Sequence, residues 1–143
     1  THGYLGVALL HAGRPAEAVP HFQEVLVRSP TDATTHDHLG VALIQQGKLE
    51  EGIEHLRQAI RLDANYVTAH TNLGMALTGA GNAAEAIQHF HRAIELKPEI
   101  PLPRYGLVQA YVAVGKTGLA QEEYEALKRL SPRLASQLSP LLR

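Results

Sequence analysis

Cysteine is absent from the 143-residue chain. Without it there is no disulfide, no thiolate nucleophile and no Cys-based zinc site. The compartment stays open on that ground, since cytoplasmic and exported proteins alike can lack cysteine; a cytoplasmic location is favoured over a periplasmic one. No run of about 18 apolar residues occurs, so no membrane insertion is expected. Neither sign of charge dominates: 13 Lys and Arg face 14 Asp and Glu, a net charge of −1. Nucleic acid needs a basic face and anionic lipid a polybasic patch, and this balance offers neither. Charged residues are 19%, too few for a disordered chain, and the 45% hydrophobic fraction suffices for a core. The chain starts at Thr1 rather than Met, with no signal-peptide pattern, which reads as a trimmed or processed fragment.

Catalytic signatures are missing too. There is no Gly-x-Ser-x-Gly, no His-Glu-x-x-His and no Gly-x-x-x-x-Gly-Lys-Ser/Thr loop. The pairs Glu50-Glu51 and Glu122-Glu123 fall at or near helix starts, where they favour the helix dipole. Arg57 and Arg61 share one helix face, most simply a solvated one. No catalytic residue, cofactor or metal is assigned, and the chain is read as a non-enzyme.

What the chain does have is a period. Gly6, Gly40 and Gly74 recur at a spacing of 34, as do Leu5, Leu39, Leu73 and Leu107. Gly13, Gly47, Gly81 and Gly115 fall on the same period. So do Ala18, Gly52, Ala86 and Ala120, and Phe22, Leu56, Phe90 and Tyr124. Pro30, Pro98 and Pro132 match as well, with Ala64 in the missing place. Each unit reads as two helices. Leu39, Ala42, Leu43 and Gln46 follow the helical rhythm, and Gly47 then stops the helix by taking the left-handed C′ conformation. A second helix over about Leu49 to Leu62 puts Ile53, Leu56 and Ile60 on one face. Asn82 stands three residues before Glu85, the spacing of a capping box. Short connections make the two helices of a unit antiparallel.

The pattern resembles the tetratricopeptide repeat (TPR), which runs from an aromatic or bulky residue through Leu-Gly, a bulky residue, Ala, an aromatic and Ala to Pro. Here His70, Leu73-Gly74, Leu77, Ala86, Phe90, Ala93 and Pro98 stand in that order. The resemblance spans essentially the whole chain. It implies an all-α fold: a TPR solenoid of antiparallel helix pairs stacked into a right-handed superhelix, one domain over residues 1–143. The repeats are 1–32, short by two at its start, then 33–66, 67–100 and 101–134. Residues 135–143 are a C-terminal capping helix or stub, with Leu138, Leu141 and Leu142 over the last apolar face. Two departures carry expectations. Leu107-Val108 replaces Leu-Gly in the fourth repeat and should widen its helix pair. The second repeat has glycine at both close-contact positions, Gly40 and Gly52, and interior glycines cost about 1 kcal/mol each relative to alanine. It should be the most easily deformed.

Nine histidines are many for this length. His2, His36 and His70 open repeats where the family has an aromatic, with Arg104 in the fourth; His21, His55 and His89 share another position. Equal positions in stacked units lie about 8–10 Å apart, too far to share an ion. The near pairs His36/His38 and His89/His91 are i, i+2 and diverge on a helix. The histidines are read as seam fillers, with a pH response as the further reading because imidazole titrates near pH 6.5.

In the family the first helix of each repeat lines a concave groove. The corresponding positions here include Tyr4, Val7, Leu10 and His11 in the first repeat, and Thr34, His38, Val41, Ile44 and Gln45 in the second. Asn72, Met75 and Thr78 follow in the third, and Tyr105, Gln109 and Val112 in the fourth. Val7, Val41 and Met75 form one apolar stripe; Leu10, Ile44 and Val112 form another. The carboxylate clamp of chaperone-binding TPRs is missing, because its positions hold Gly3, Asp37, Thr71 and Tyr105. The asparagine ladder of O-GlcNAc transferases keeps only Asn72, broken by Tyr4, His38 and Gly106. The resemblance thus implies a protein–protein interaction scaffold holding a partner helix or apolar-anchored peptide in the groove. The alternatives are a substrate-recruiting segment of a larger glycosyltransferase-type enzyme and a self-associating scaffold.

Overall fold

The computed structural model describes residues 2–142, and every regular element among them is helical. In order they are α1 (His2–His11), α2 (Pro15–Arg28), α3 (Ala33–Gln45), α4 (Leu49–Leu62), α5 (Val67–Gly79), α6 (Ala83–Leu96), α7 (Leu102–Ala113), α8 (Thr117–Leu130) and α9 (Pro132–Leu138). A 3₁₀ turn (Ser139–Leu142) closes the series. The chain forms two compact units, Thr1–Asn72 and Leu73–Arg143, with the division inside α5.

In the first unit α1 packs on α2, α2 on α3, and α3 on α4. The core joins Leu10, Ala18, Phe22, Leu39, Ala42 and Leu43. Fully burying a side chain such as Phe22 contributes roughly 1.5–3 kcal/mol. The turn between α3 and α4 shows how the chain reverses. Gly47 takes φ 84°, and the Lys48 amide donates back to the Leu43 carbonyl at 2.9 Å. Only glycine adopts that φ without steric cost, which explains its recurrence at 13, 81 and 115, all with positive φ. Leu5 is 49% exposed although Leu39, at the same register, is 2% exposed. Leu39 lies under α2, whereas no described helix precedes α1.

The repeating interior glycines mark where two helices touch. A Cβ on Gly6 would lie 2.7 Å from the Phe22 ring, and one on Gly40 would lie 2.8 Å from the Gly52 carbonyl oxygen. The second repeat therefore makes a backbone-to-backbone contact where the first packs glycine on a ring.

In the second unit α6 packs on α7 and α7 on α8, with α9 against both α7 and α8. The Phe90 ring lies against Gly74 and Gly106, so that a Cβ on either would collide with it. Val108 is completely buried, and α7 and α8 pack less extensively on each other than α3 and α4 do. Ser131 caps α9 by accepting from the Leu134 amide at 3.3 Å, Pro132 opens the helix, and Ala135 and Leu138 are buried. The capping box expected at Asn82 is not formed: its Nδ2 donates to Glu85 at 3.0 Å and its side chain accepts from no backbone amide. The capping acceptor in the first unit is Asp32, which receives the Thr35 amide and hydroxyl.

Candidate functional site

The odd-numbered helices α1, α3, α5 and α7 contain only two Asp, Glu, Lys or Arg side chains, Asp37 and Arg104. Neither stands free. Asp37 is 1% exposed, and Arg104 pairs with Glu123 at 2.7 Å. The even helices and their caps carry most of the remaining charge, with pairs such as Arg14–Glu17, Arg61–Glu54 and Lys128–Glu125. The expected groove positions therefore lie on helices whose only Asp, Glu, Lys or Arg side chains are buried or paired.

On α1 and α3, several expected residues meet. Tyr4, Val7, Thr34 and His38 line one hollow of about 290 Å³ together with Gly3, Phe22, Asp32 and Thr35. His38 stacks on Phe22, with ring centroids 5.6 Å apart and planes at 28°. Tyr4 projects from α1 with 81% of its surface exposed. His11 and Gln45 are exposed at the far ends of their helices. Some candidates also or instead pack inward. Val7 and Val41 pack against the core, and Ile44 lies against Gly52 of α4, between the helices.

Asn72 has a structural task. Its Nδ2 donates to the Asp37 carboxylate at 3.0 Å. Burial pushes the Asp37 carboxyl above its ordinary range, opposed by the hydrogen bond from Asn72, the nearby His38 and the Tyr66 hydroxyl. Burial also raises the Tyr66 phenol, with Asp37 adding to it. A buried acid tied to neutral donors thus joins α3 to the start of α5.

In the second unit Met75 is 40% exposed on α5, while Thr78 spends its hydroxyl on the Gly74 carbonyl at 2.9 Å. Tyr105 and Gln109 are half-buried on α7. A Gly-Lys-Thr run at 115–117 lies in the α7–α8 turn at the same register as the other glycine turns, with helix rather than strand before it. It is punctuation, not a phosphate loop.

Histidine contacts across helix pairs are what the residue spacing did not reveal. His2 Nδ1 lies 2.9 Å from His21 Nδ1, and His36 Nδ1 lies 3.1 Å from His55 Nδ1. Both pairs are 19 residues apart, as is Arg104–Glu123. That recurrence was the available signal: complementary charges at 104 and 123 imply that this register faces itself across two helices. Among the described residues no three His, Asp or Glu side chains gather as a metal site.

With this geometry in place, the comparisons agree. Family models described as tetratricopeptide repeat match residues 2–33 and 67–100, and one described as TPR repeat matches 40–81. No match was found among curated protein sequences. Solved structures share the fold. PilF of Pseudomonas aeruginosa is 25% identical with a TM-score of 0.89, over 99% of this chain and 66% of that one. A thermophilic TPR protein of Thermus thermophilus is 20% identical with a TM-score of 0.85, over 99% and 79%. MamA is 23% identical with a TM-score of 0.83, over 94% and 74%. The molecule is an all-α protein of repeated helix pairs. It belongs to the tetratricopeptide-repeat family, whose usual role is a protein-binding scaffold.

Proposed function

We propose that this chain holds a segment of another protein, a helix or an apolar-anchored peptide, against its odd-numbered helices. One observation carries the reading: the charge of the helices is segregated. Every Asp, Glu, Lys or Arg on α1, α3, α5 and α7 is buried or paired, while Tyr4 and Met75 stand exposed there. Such a surface gains free energy by covering apolar area and has little to offer a strongly charged ligand. The hollow beside Tyr4, floored by Phe22 and His38, would take one apolar anchor side chain.

Capture from an extract of the source cell tests this with Tyr4→Glu and Met75→Glu. Tyr4 is 81% exposed and Met75 40% exposed, and neither belongs to the buried core. Val41→Glu would be a poorer probe, because Val41 packs on the core and its loss confuses binding with unfolding. The expected result is that a species bound by the parent chain is lost from both variants. An identical bound set would refute the assignment. Size measurement over a range of concentrations tells a second copy in the groove from a different protein.

A further inference from the structure

The paired histidines are satisfied in one protonation pattern and frustrated in another. His36 Nε2 lies 2.9 Å from the Pro30 carbonyl oxygen, which can only accept. Its proton therefore sits on Nε2, and its Nδ1 presents a lone pair. The contact at 3.1 Å then requires His55 to donate from Nδ1. The two rings are stacked, 5.3 Å between centroids and 25° between planes. His70 Nε2 makes the corresponding bond to the Ala64 carbonyl at 2.8 Å, so the anchor recurs in the next repeat. His2 and His21 repeat the ring contact on α1 and α2, at 5.2 Å and 34°.

We propose that the His36–His55 pair is an acid-released latch between α3 and α4, the two helices of the second repeat. One proton can be accommodated: if the His55 proton moves to Nε2, a protonated His36 donates from Nδ1 to the freed lone pair. A second proton puts two cations on nitrogens 3.1 Å apart, with a hydrogen on each where only one fits, and the contact opens. The other titratable groups around the pair do not remove this conflict. On α4, Glu51 and Glu54 favour the charged form of His55, but burial and the charge of His36 outweigh them and hold its imidazole below the ordinary value. Beside α3 stand Asp32, bonded to Thr35, and Asp37, bonded to Asn72, with His38 next in sequence. From α2, Glu24 and Arg28 line a hollow with His2, Asp32 and Thr35, and just before α5, Tyr66 faces Asp37. In the fourth repeat the same register holds Arg104 and Glu123, opposite charges that imidazole titration does not disturb.

The sign follows from His55. A lowered imidazole gives stability that is present above its ordinary value near pH 6.5 and is lost as the pH falls from there through the lower folded value. The whole chain is measured by hydrogen exchange at about pH 7.5 and about pH 5.5, corrected for intrinsic exchange, spanning the range in which imidazole charges. Exchange in α3 and α4 is expected to rise by about tenfold or more in acid, with α7 and α8 unchanged. The double variant His36→Arg with His55→Glu, which copies the fourth-repeat pair, is expected to abolish the rise in α3 and α4. An equal rise in all helices, or the same rise in the double variant, would overturn the proposal. Should the double variant not fold, nitrogen NMR of the parent chain decides. The expected result is the proton of His36 on Nε2 and that of His55 on Nδ1 at neutral pH, with this pattern lost at the pH where α3 and α4 exchange faster. The opposite tautomers at neutral pH, or the same pattern kept while α3 and α4 exchange faster, would overturn it.

Discussion

Asp37 is the residue with the most decided chemistry. It is buried among neutral donors, and its carboxyl is held above the ordinary range chiefly by burial. A raised folded-state value means that the native chain binds this proton more readily than the unfolded chain does. The contribution of the group is therefore most favourable below the ordinary carboxylate value and declines as the pH rises through the folded value. Asp37→Asn keeps an acceptor for Asn72 and removes that decline. Urea unfolding should show the variant gaining on the parent at neutral pH relative to acid; a gain in the opposite direction would place the charge in a favourable site. Asp37→Ala instead strands Asn72 and Tyr66 and should cost about 1–3 kcal/mol at neutral pH. The arrangement was not legible beforehand. Asp37 and Asn72 stood at positions compared with family groove residues, and the hydrogen bond between them, 35 residues apart, is in no local pattern.

At the scale of the helix pair, the glycine pattern decides. Gly40→Ala would raise helix propensity by about 1 kcal/mol. It also places a methyl 2.8 Å from the Gly52 carbonyl oxygen and 2.9 Å from Leu56, against backbone that cannot step aside. Overpacking of this kind costs roughly 1–3 kcal/mol, so net destabilisation is expected in thermal melts. A variant as stable as the parent would show that α3 and α4 are not held by backbone contact. The two interior glycines also make α3 and α4 the pair expected to exchange amide hydrogens fastest; slowest exchange there would show that close packing outweighs the propensity cost. Helices and turns were readable because each depends on local chemistry: a 3.6-residue rhythm, a left-handed glycine, a proline after the end. The cap at Asn82 was misread because its side-chain amide donates from Nδ2 to Glu85 rather than accepting a backbone amide through its oxygen. Gly106 read as a gap in a ladder; it is the seat of Phe90, a relation between helices that no single-helix pattern contains.

For the molecule as a whole, the period of 34 made the family legible, since many positions agree on it, and the repeat models and related structures bear it out. The proposed binding residues were legible only by the helices that carry them. The structure divides its candidates by what they touch: Tyr4, His11, Gln45 and Met75 are open to solvent, while Val41 and Ile44 serve the interior. The most direct test of partner binding on the odd-numbered helices is site-specific photocrosslinking in the source cell. A photoreactive phenylalanine analogue would replace Tyr4 or Met75 on the odd helices, and Val27, which is 77% exposed on α2, as the comparison. Adducts to the same partner from the Tyr4 and Met75 sites, and none from the Val27 site, are the expected result. Adducts from Val27 alone would contradict the account.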